Sequence, residues 1–230
     1  MDYLASEDYR VVDVVTAANL LEAGTVPPKT VALSFDDGYL DVAVHGLPIL
    51  DERGFRATIF VAPAVTEGTA SFTWYRRQPP LLAWDDIVAL DRQATLNFEA
   101  HSLTHPNLPA LSEGAAREEI AGSKLALEAR LGRPVQAFSY PTGLFGAREQ
   151  RLVREAGFRI AVSCEPGAND SGTTDRLALR RRQVDPRDSL LDFRAKLGGG
   201  HDSPPPLRGL YRRLRYGART DDPSRASSRL

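Results

Sequence analysis

The chain has 230 residues, 42% of them hydrophobic, enough to bury one sizeable core and so to form one domain. Its formal net charge of −1 argues against a general nucleic-acid binder, and its single cysteine excludes an intrachain disulfide. The first residues have neither a basic segment nor a long apolar run, and no stretch reaches the ~18 apolar residues that span a bilayer, so a soluble cytoplasmic protein is expected.

Taken in order, Asp2–Ser6 reads as a scrap of helix and residues 9–15 as a strand, and Thr16 is placed to cap a helix that stops at Gly24. Pro27-Pro28 then leads to Val31-Ala32-Leu33-Ser34-Phe35, an apolar run expected to form a buried strand that ends at Asp36-Asp37-Gly38. Neighbouring strand residues point to opposite faces, so the two carboxylates diverge unless the chain bends, and Gly38 is where it can bend. A helical segment follows, broken near Gly46 and reopened by Pro48, and residues 56–61 form the next strand.

Residues 62–80 are the longest irregular stretch and hold Trp74, Tyr75, Arg76 and Arg77. A loop this long in a compact domain is a candidate wall for a substrate groove, against the plainer reading of aromatics that simply pack down. Residues 84–90 form a helix, and the strand over 95–100 runs straight into His101-Ser102-Leu103-Thr104-His105. Ser112 caps a long helix with Ala116, Ile120, Leu127 and Leu131 on one face, closed by Gly132. Strands over 135–139 and 158–163 flank a helix over 148–156; a short strand at 177–179 and a helix over 188–197 complete the series.

Strands alternating with helices argue for a parallel sheet, and about seven such units fit a barrel better than an open dinucleotide-binding sheet. From Gly198 the composition shifts to Gly-Gly-Gly and Pro-Pro-Pro, and residues 207–230 carry seven arginines against two aspartates, a net of +5. The expected division is therefore 1–197 as the barrel and 198–230 as linker and basic, disordered tail. Contact of that tail with an acidic surface such as membrane headgroups is the alternative to simple solvation.

Asp-Asp-Gly alone is a turn signal, and His-x-x-x-His alone is more often coincidence than a metal site. Together, one carboxylate and two imidazoles compose a catalytic zinc-type ligand set with coordination left open for water and substrate. Residues 101 and 105, four apart, would present to one side of a helical turn ended by Pro106.

Ser34-Phe35-Asp36-Asp37-Gly38 and His101-Ser102-Leu103-Thr104-His105 resemble the first two motifs of the polysaccharide deacetylases (carbohydrate esterase family 4, the NodB-homology family). Phe138-Ser139-Tyr140-Pro141-Thr142-Gly143 resembles the third, and the likeness runs from about residue 3 to about residue 198. The resemblance implies a distorted (β/α) barrel with about seven parallel strands, with its chemistry at their C-terminal ends. It implies that Asp37, His101 and His105 hold a divalent metal, zinc first, although the same donors accept other first-row metals. Asp36 matches the family's catalytic base and the backbone N–H of Thr142 its oxyanion donor. Tyr140, Pro141 and Gly143 fall at the substrate, with Trp74 of the long loop as a further contact.

The implied activity is removal of N-acetyl groups from N-acetylhexosamine residues of a polysaccharide or other glycan, with O-acetyl esters also open. The alternative is a catalytically impaired glycan-binding or scaffold protein that keeps the metal site. The sequence departs from the family at three places. Ser139 stands where many members have an arginine that orients the base, and Arg181, within Arg180-Arg181-Arg182, is the candidate replacement, against a plain solvated strand end. Thr142 replaces the usual tyrosine, which costs little if only its N–H is used. No late Leu-x-His supplies a general acid, and the branch with the Tyr-Pro-x-Gly motif carries that histidine in a Tyr-His segment ahead of this chain's first residue. Neither His45, on a helix, nor His201, in the linker, is expected to replace it, so slow amide hydrolysis is expected.

Overall fold

Asp13, not Thr16, starts the first long helix. In the computed structural model, which describes residues 1–200, β1 (Arg10–Val12) ends where the Asp13 carboxylate accepts from the Thr16 N–H at 2.8 Å and from its hydroxyl at 2.7 Å. Aspartate is a strong N-cap, so the strand stops three residues short of the expected boundary and α2 (Val14–Ala23) follows, closed by Gly24 at φ 65°. Ahead of them, α1 (Asp2–Ser6) buries Leu4.

The strand expected at Val31 is split at Leu33 into β2 (Thr30–Ala32) and β3 (Ser34–Asp36). Its first half pairs with β1 and its second with β4 (Ala57–Val61), so one strand serves two neighbours in turn. It is half-buried rather than fully buried, unlike β4, whose five residues are all enclosed. The helix after Gly38 begins as a π-turn over Val42–Gly46, and α3 (Leu47–Arg53) continues it with Pro48 in its first turn. A short α4 (Pro63–Thr66) opens the long loop, and α5 (Trp84–Asp91) closes it.

The remaining strands are β5 (Leu96–Ala100), β6 (Ala137–Ser139) and β7 (Ile160–Val162), with α6 (Glu113–Leu131) and α7 (Ala147–Glu155) between them. All strand pairs are parallel and run in consecutive order, with β3-β4-β5-β6-β7 as the main sheet. Leu179 extends this order as a single parallel bridge to Val162, in place of the short strand expected there. The result is a curled parallel half-barrel with helices outside it, as the alternating pattern implies. Because order and direction never reverse, every strand delivers its C-terminal end to the same rim.

Ala116, Ile120 and Leu127 of α6 are fully buried, as their spacing implies, and they pack with Ile59, Phe98 and Phe138 of the sheet in one core. α8 (Leu190–Leu197) is capped by Ser189. The basic tail and His201 lie outside the described residues. Among the described residues no helix is long and apolar enough to cross a membrane.

One buried acid holds the sheet together beneath the rim. β5 and β6 pair only at Ala100 and Phe138, and the fully buried Glu99 replaces the missing ladder. Its Oε2 accepts from the N–H groups of Gln136 at 2.7 Å and Ala137 at 2.6 Å, and Arg133 reaches its Oε1 at 3.2 Å. Burial pushes this carboxyl up to about 7, against the pull of those N–H groups and of Arg133. A carboxyl raised on folding binds its proton more tightly in the native state, so its contribution to stability is present below the unfolded value and lost as pH rises through about 7. Glu99→Gln, which cannot ionise, is therefore expected to gain on the wild type by on the order of 3 kcal/mol between pH 4 and pH 8. Urea melts across that range check it, and a difference independent of pH would contradict it.

Candidate functional site

Asp36 ends β3, and the chain turns at once: Asp37 has φ 75° and Gly38 φ 73°. The bend thus begins one residue before the glycine, and it brings both carboxylates to the rim. Gly38 is required there for a second reason, since a Cβ would lie 2.8 Å from Val61 Cγ1. Among the described residues seven non-glycine positions have positive φ, and Asp37, Ser102, His105 and Thr142 are four of them. Left-handed backbone in such residues costs free energy and concentrates where surrounding structure fixes a functional geometry.

The two histidines follow β5 on an irregular loop, not on the helical turn expected from their spacing. Ser102 at φ 58° and His105 at φ 62° break any helix, and the Ser102 hydroxyl accepts from the His105 N–H at 3.0 Å. The loop is held from outside by Glu119 on α6. Its carboxylate accepts from the N–H of Leu103 at 3.0 Å, the N–H of Thr104 at 2.8 Å and the Thr104 hydroxyl at 2.6 Å. Sequence spacing gave no sign of Glu119, which lies sixteen residues beyond Leu103 on a helix read only for its apolar face.

Asp37, His101 and His105 each offer one donor atom, and these atoms lie within 4.8 Å of one another. Asp37 Oδ1 is 3.6 Å from His101 Nε2 and 3.7 Å from His105 Nε2, and it is buried with no hydrogen-bond partner. A buried carboxylate oxygen without a partner is costly, and a cation between it and two imidazoles would satisfy it. His101 Nδ1 contacts the Ser139 carbonyl at 2.8 Å, which makes Nδ1 the protonated nitrogen and frees Nε2 as a lone-pair donor. Burial and the neighbouring His101 push His105 down to about 3, so its ring is neutral, the form that binds metals. Burial raises the Asp37 carboxyl, against the pull of His101 and with the push of Asp36. The donor set fits a divalent cation.

Asp36 stands beside this group and has its own clamp. Arg181 donates to Asp36 Oδ1 at 2.7 Å and to Oδ2 at 2.8 Å, a two-point fork. The guanidinium is fixed in turn by Ser34 Oγ at 3.1 Å, Ser139 Oγ at 2.9 Å and the Ser163 carbonyl at 2.9 Å. Burial would raise the Asp36 carboxyl, but the Arg181 guanidinium, by its charge and its hydrogen bonds, overcomes it and holds Asp36 at about 2. Arg181 is thus no solvated strand end. Its guanidinium is mostly buried and lies against the small Ser139 side chain.

The third motif turns at the same rim. Gly143 N–H donates to Tyr140 O and Leu144 N–H to Pro141 O, so the turn's own hydrogen bonds do not use the N–H of the exposed Thr142. A Cβ on Gly143 would lie 2.5 Å from Cys164 Cβ, whose Sγ is 3.9 Å from Arg181, so this turn packs against the base's clamp. Three residues named from the motif lie inward instead. Tyr140 is fully buried, its hydroxyl donating to Leu177 O at 2.9 Å and its ring stacked on Phe145, while Pro141 and Gly143 are buried beneath the turn. Tyr140 is a core residue because it follows Phe138 by two positions and so takes the face of the sheet that packs on the helices, while Ser139 between them faces Arg181.

The long loop does reach the site. Trp74 lies 4.8 Å from the His105 ring, and Tyr39 donates to Asp37 Oδ2 at 3.1 Å and meets the Tyr75 hydroxyl at 3.1 Å. His45, on the π-turn, is exposed and outside the Asp37, His101 and His105 group.

A curled parallel half-barrel with a carboxylate and two imidazoles on its C-terminal rim is the architecture of a carbohydrate-deacetylase fold. The chain belongs to the polysaccharide deacetylase family, whose model matches residues 23–161. It is 27% identical over 189 residues to the Bacillus subtilis (strain 168) protein carried as "Putative polysaccharide deacetylase YxkH", covering 81% of this chain and 63% of that one. The chain thus spans less than two thirds of that relative's length. Among solved structures, the Streptococcus pyogenes deacetylase PplD in complex with acetate superposes with a TM-score of 0.74 at 22% identity, over 84% of this chain and 82% of that one. IcaB from Ammonifex degensii does so at 0.71 and 23%, over 85% of each chain. At these identities the superpositions establish the fold.

Proposed function

We propose that this chain is a metal-dependent hydrolase that removes N-acetyl groups from N-acetylhexosamine residues of a polysaccharide or glycan, with residues 1–197 as the catalytic unit. One observation carries the proposal: a buried, partnerless Asp37 oxygen facing the Nε2 atoms of two histidines. Zinc suits one carboxylate and two imidazoles best, and other first-row ions accept the same donors. When bound there, a divalent cation supplies Lewis acidity, polarising a carbonyl and making water more acidic.

The chain's own residues supply the rest. Asp36 takes the proton from the attacking water, and Arg181 holds its carboxylate ionised and aimed. The Thr142 N–H meets the oxygen on which negative charge develops. The leaving nitrogen also needs a proton, and no histidine among the described residues other than the two proposed ligands reaches the site. An ester leaves as an alkoxide, a better leaving group than an amine anion. The described residues, 1–200, are therefore expected to hydrolyse acetate esters faster, relative to matched acetamides, than an enzyme with a general acid would.

A glycan-binding or scaffold protein is the second reading, favoured by the engagement of both Asp36 oxygens by Arg181. Acetate release from matched N-acetyl and O-acetyl oligosaccharides, before and after chelation and zinc restoration, separates the two. Release that vanishes with chelator and returns with zinc supports the hydrolase; binding with no release from either substrate supports the scaffold.

A further inference from the structure

The two oxygens of Asp37 have different surroundings. Oδ1 is buried without a hydrogen-bond partner and faces the Nε2 atoms of His101 and His105 at 3.6 and 3.7 Å. Oδ2 accepts from the Tyr39 hydroxyl at 3.1 Å, and that hydroxyl lies 3.1 Å from the Tyr75 hydroxyl. A phenol has one proton to give and an ionised carboxylate has none. With the Tyr39 proton committed to Asp37, the proton between the two tyrosines is Tyr75's. Donation therefore runs one way, from Tyr75 to Tyr39 to Asp37.

Tyr39 is fixed for this by backbone and ring alike. It forms an antiparallel bridge with Leu81, and the bonds on either side, Leu40 N–H to Pro80 O and Leu82 N–H to Gly38 O, are each 3.0 Å. Its ring packs on the buried cluster of Ala62, Val65 and Phe72, 6.1 Å from the Phe72 ring and edge-on to Tyr75 at 6.2 Å and 88°. None of these contacts uses the hydroxyl. Among the described residues its hydrogen bonds go to Asp37 and Tyr75. A side chain locked by packing in this way can hold a site group to a narrow range of orientations.

We propose that Tyr39, backed by Tyr75, is a positioning residue for the metal site: its hydroxyl occupies Asp37 Oδ2 and so leaves Oδ1 alone to face the ion. The inference rests on the reading of Asp37, His101 and His105 as ligands and extends it to two residues outside that group. Carboxylates bind cations through one oxygen or through both. Holding this one to a single oxygen keeps coordination open for water and substrate, as a catalytic site requires. It also ties the loop over residues 62–80, which carries Tyr75, to the ion through two hydroxyls.

The test uses the full chain, stripped of metal and reloaded with cobalt(II) or zinc, beside Tyr39→Phe, Tyr75→Phe and the double variant. Phenylalanine keeps the ring and removes only the hydroxyl. Tyr39→Phe is expected to weaken the binding of both ions roughly tenfold, the lower end for a residue that orients a ligand. With Oδ2 released, the coordination number should rise. The visible absorption of cobalt(II) weakens as its coordination number rises, so the Tyr39→Phe spectrum should be fainter and shifted. Tyr75→Phe should give a smaller change of the same sign. The double variant should match Tyr39→Phe alone, because Tyr75 acts through Tyr39.

Wild-type affinity and spectrum in Tyr39→Phe would overturn the proposal. Losses that simply add in the double variant would also overturn it, since the two hydroxyls would then act independently. So would a metal-free melt of Tyr39→Phe lowered enough to account for the lost affinity, which would reduce Tyr39 to packing. Failure of the ligand reading looks different: the wild-type chain would take up no cobalt, and the positioning role would fall with it.

Discussion

Asp36→Asn is expected to lower acetate release by roughly 10²–10⁴-fold while the protein keeps its metal and its fold. The carboxylate of Asp36 is not in the ligand group, yet its Oδ2 lies 3.9 Å from His101 Nε2, close enough to serve water activated there. Asparagine preserves the shape but removes the negative charge, so it cannot take a proton. It also sets an amide N–H₂ against one arm of the Arg181 fork, where two donors meet. Steady-state rates, metal content and a thermal melt on one preparation check all three parts. Should Asp36→Asn lose its metal while Asp37→Asn keeps it, the two aspartates have been assigned in reverse.

Glu119→Ala is expected to weaken metal binding by roughly 10–100-fold, the range for residues that orient ligands without touching the ion. One carboxylate receives two backbone N–H groups and a hydroxyl from Leu103 and Thr104, between the two histidines. Without it those groups lose their partner, and the left-handed positions at Ser102 and His105 lose the contact that offsets their cost. Glu119→Gln keeps one acceptor oxygen, so it should fall between wild type and alanine. Competition with a chromophoric chelator gives the three affinities. Equal affinities, or a loss matched by a large fall in melting temperature, would place Glu119 in the scaffold alone.

Much of the site was legible because its residues are neighbours in sequence and the fold is repetitive. Apolar runs ending in Asp-Asp-Gly, in His-Ser-Leu-Thr-His and in Tyr-Pro-Thr-Gly mark three strand ends, and a parallel sheet in consecutive order brings strand ends to one rim. What spacing could not show was conformation within a motif. His-x-x-x-His fits one turn of helix on paper, but side-chain bonds from Ser102 and Glu119 hold the backbone in a loop instead. Likewise Tyr140 carries no label saying which way it faces, and its hydroxyl finds Leu177 O in the core.

Contacts distant in sequence were the least legible. Arg181 meets Asp36 across 145 positions, and nothing local separates it from its neighbours Arg180 and Arg182. Only the depth of its position under Ser139 and over the Phe60 ring selects it. Glu99 was hidden for a related reason. An acid inside an apolar strand reads as an edge or solvent-facing residue, whereas here it stands in for the hydrogen bonds that β5 and β6 do not make with each other.

The central claim is that Asp37, His101 and His105 together hold one divalent ion, and metal content tests it most directly. Protein purified without chelator should carry roughly one zinc or other first-row ion per chain by elemental analysis, as a three-ligand catalytic site does. His101→Ala and Asp37→Ala, at unchanged circular dichroism, should carry almost none. Metal retained by both variants at the wild-type level would contradict the ligand assignment and the mechanism built on it.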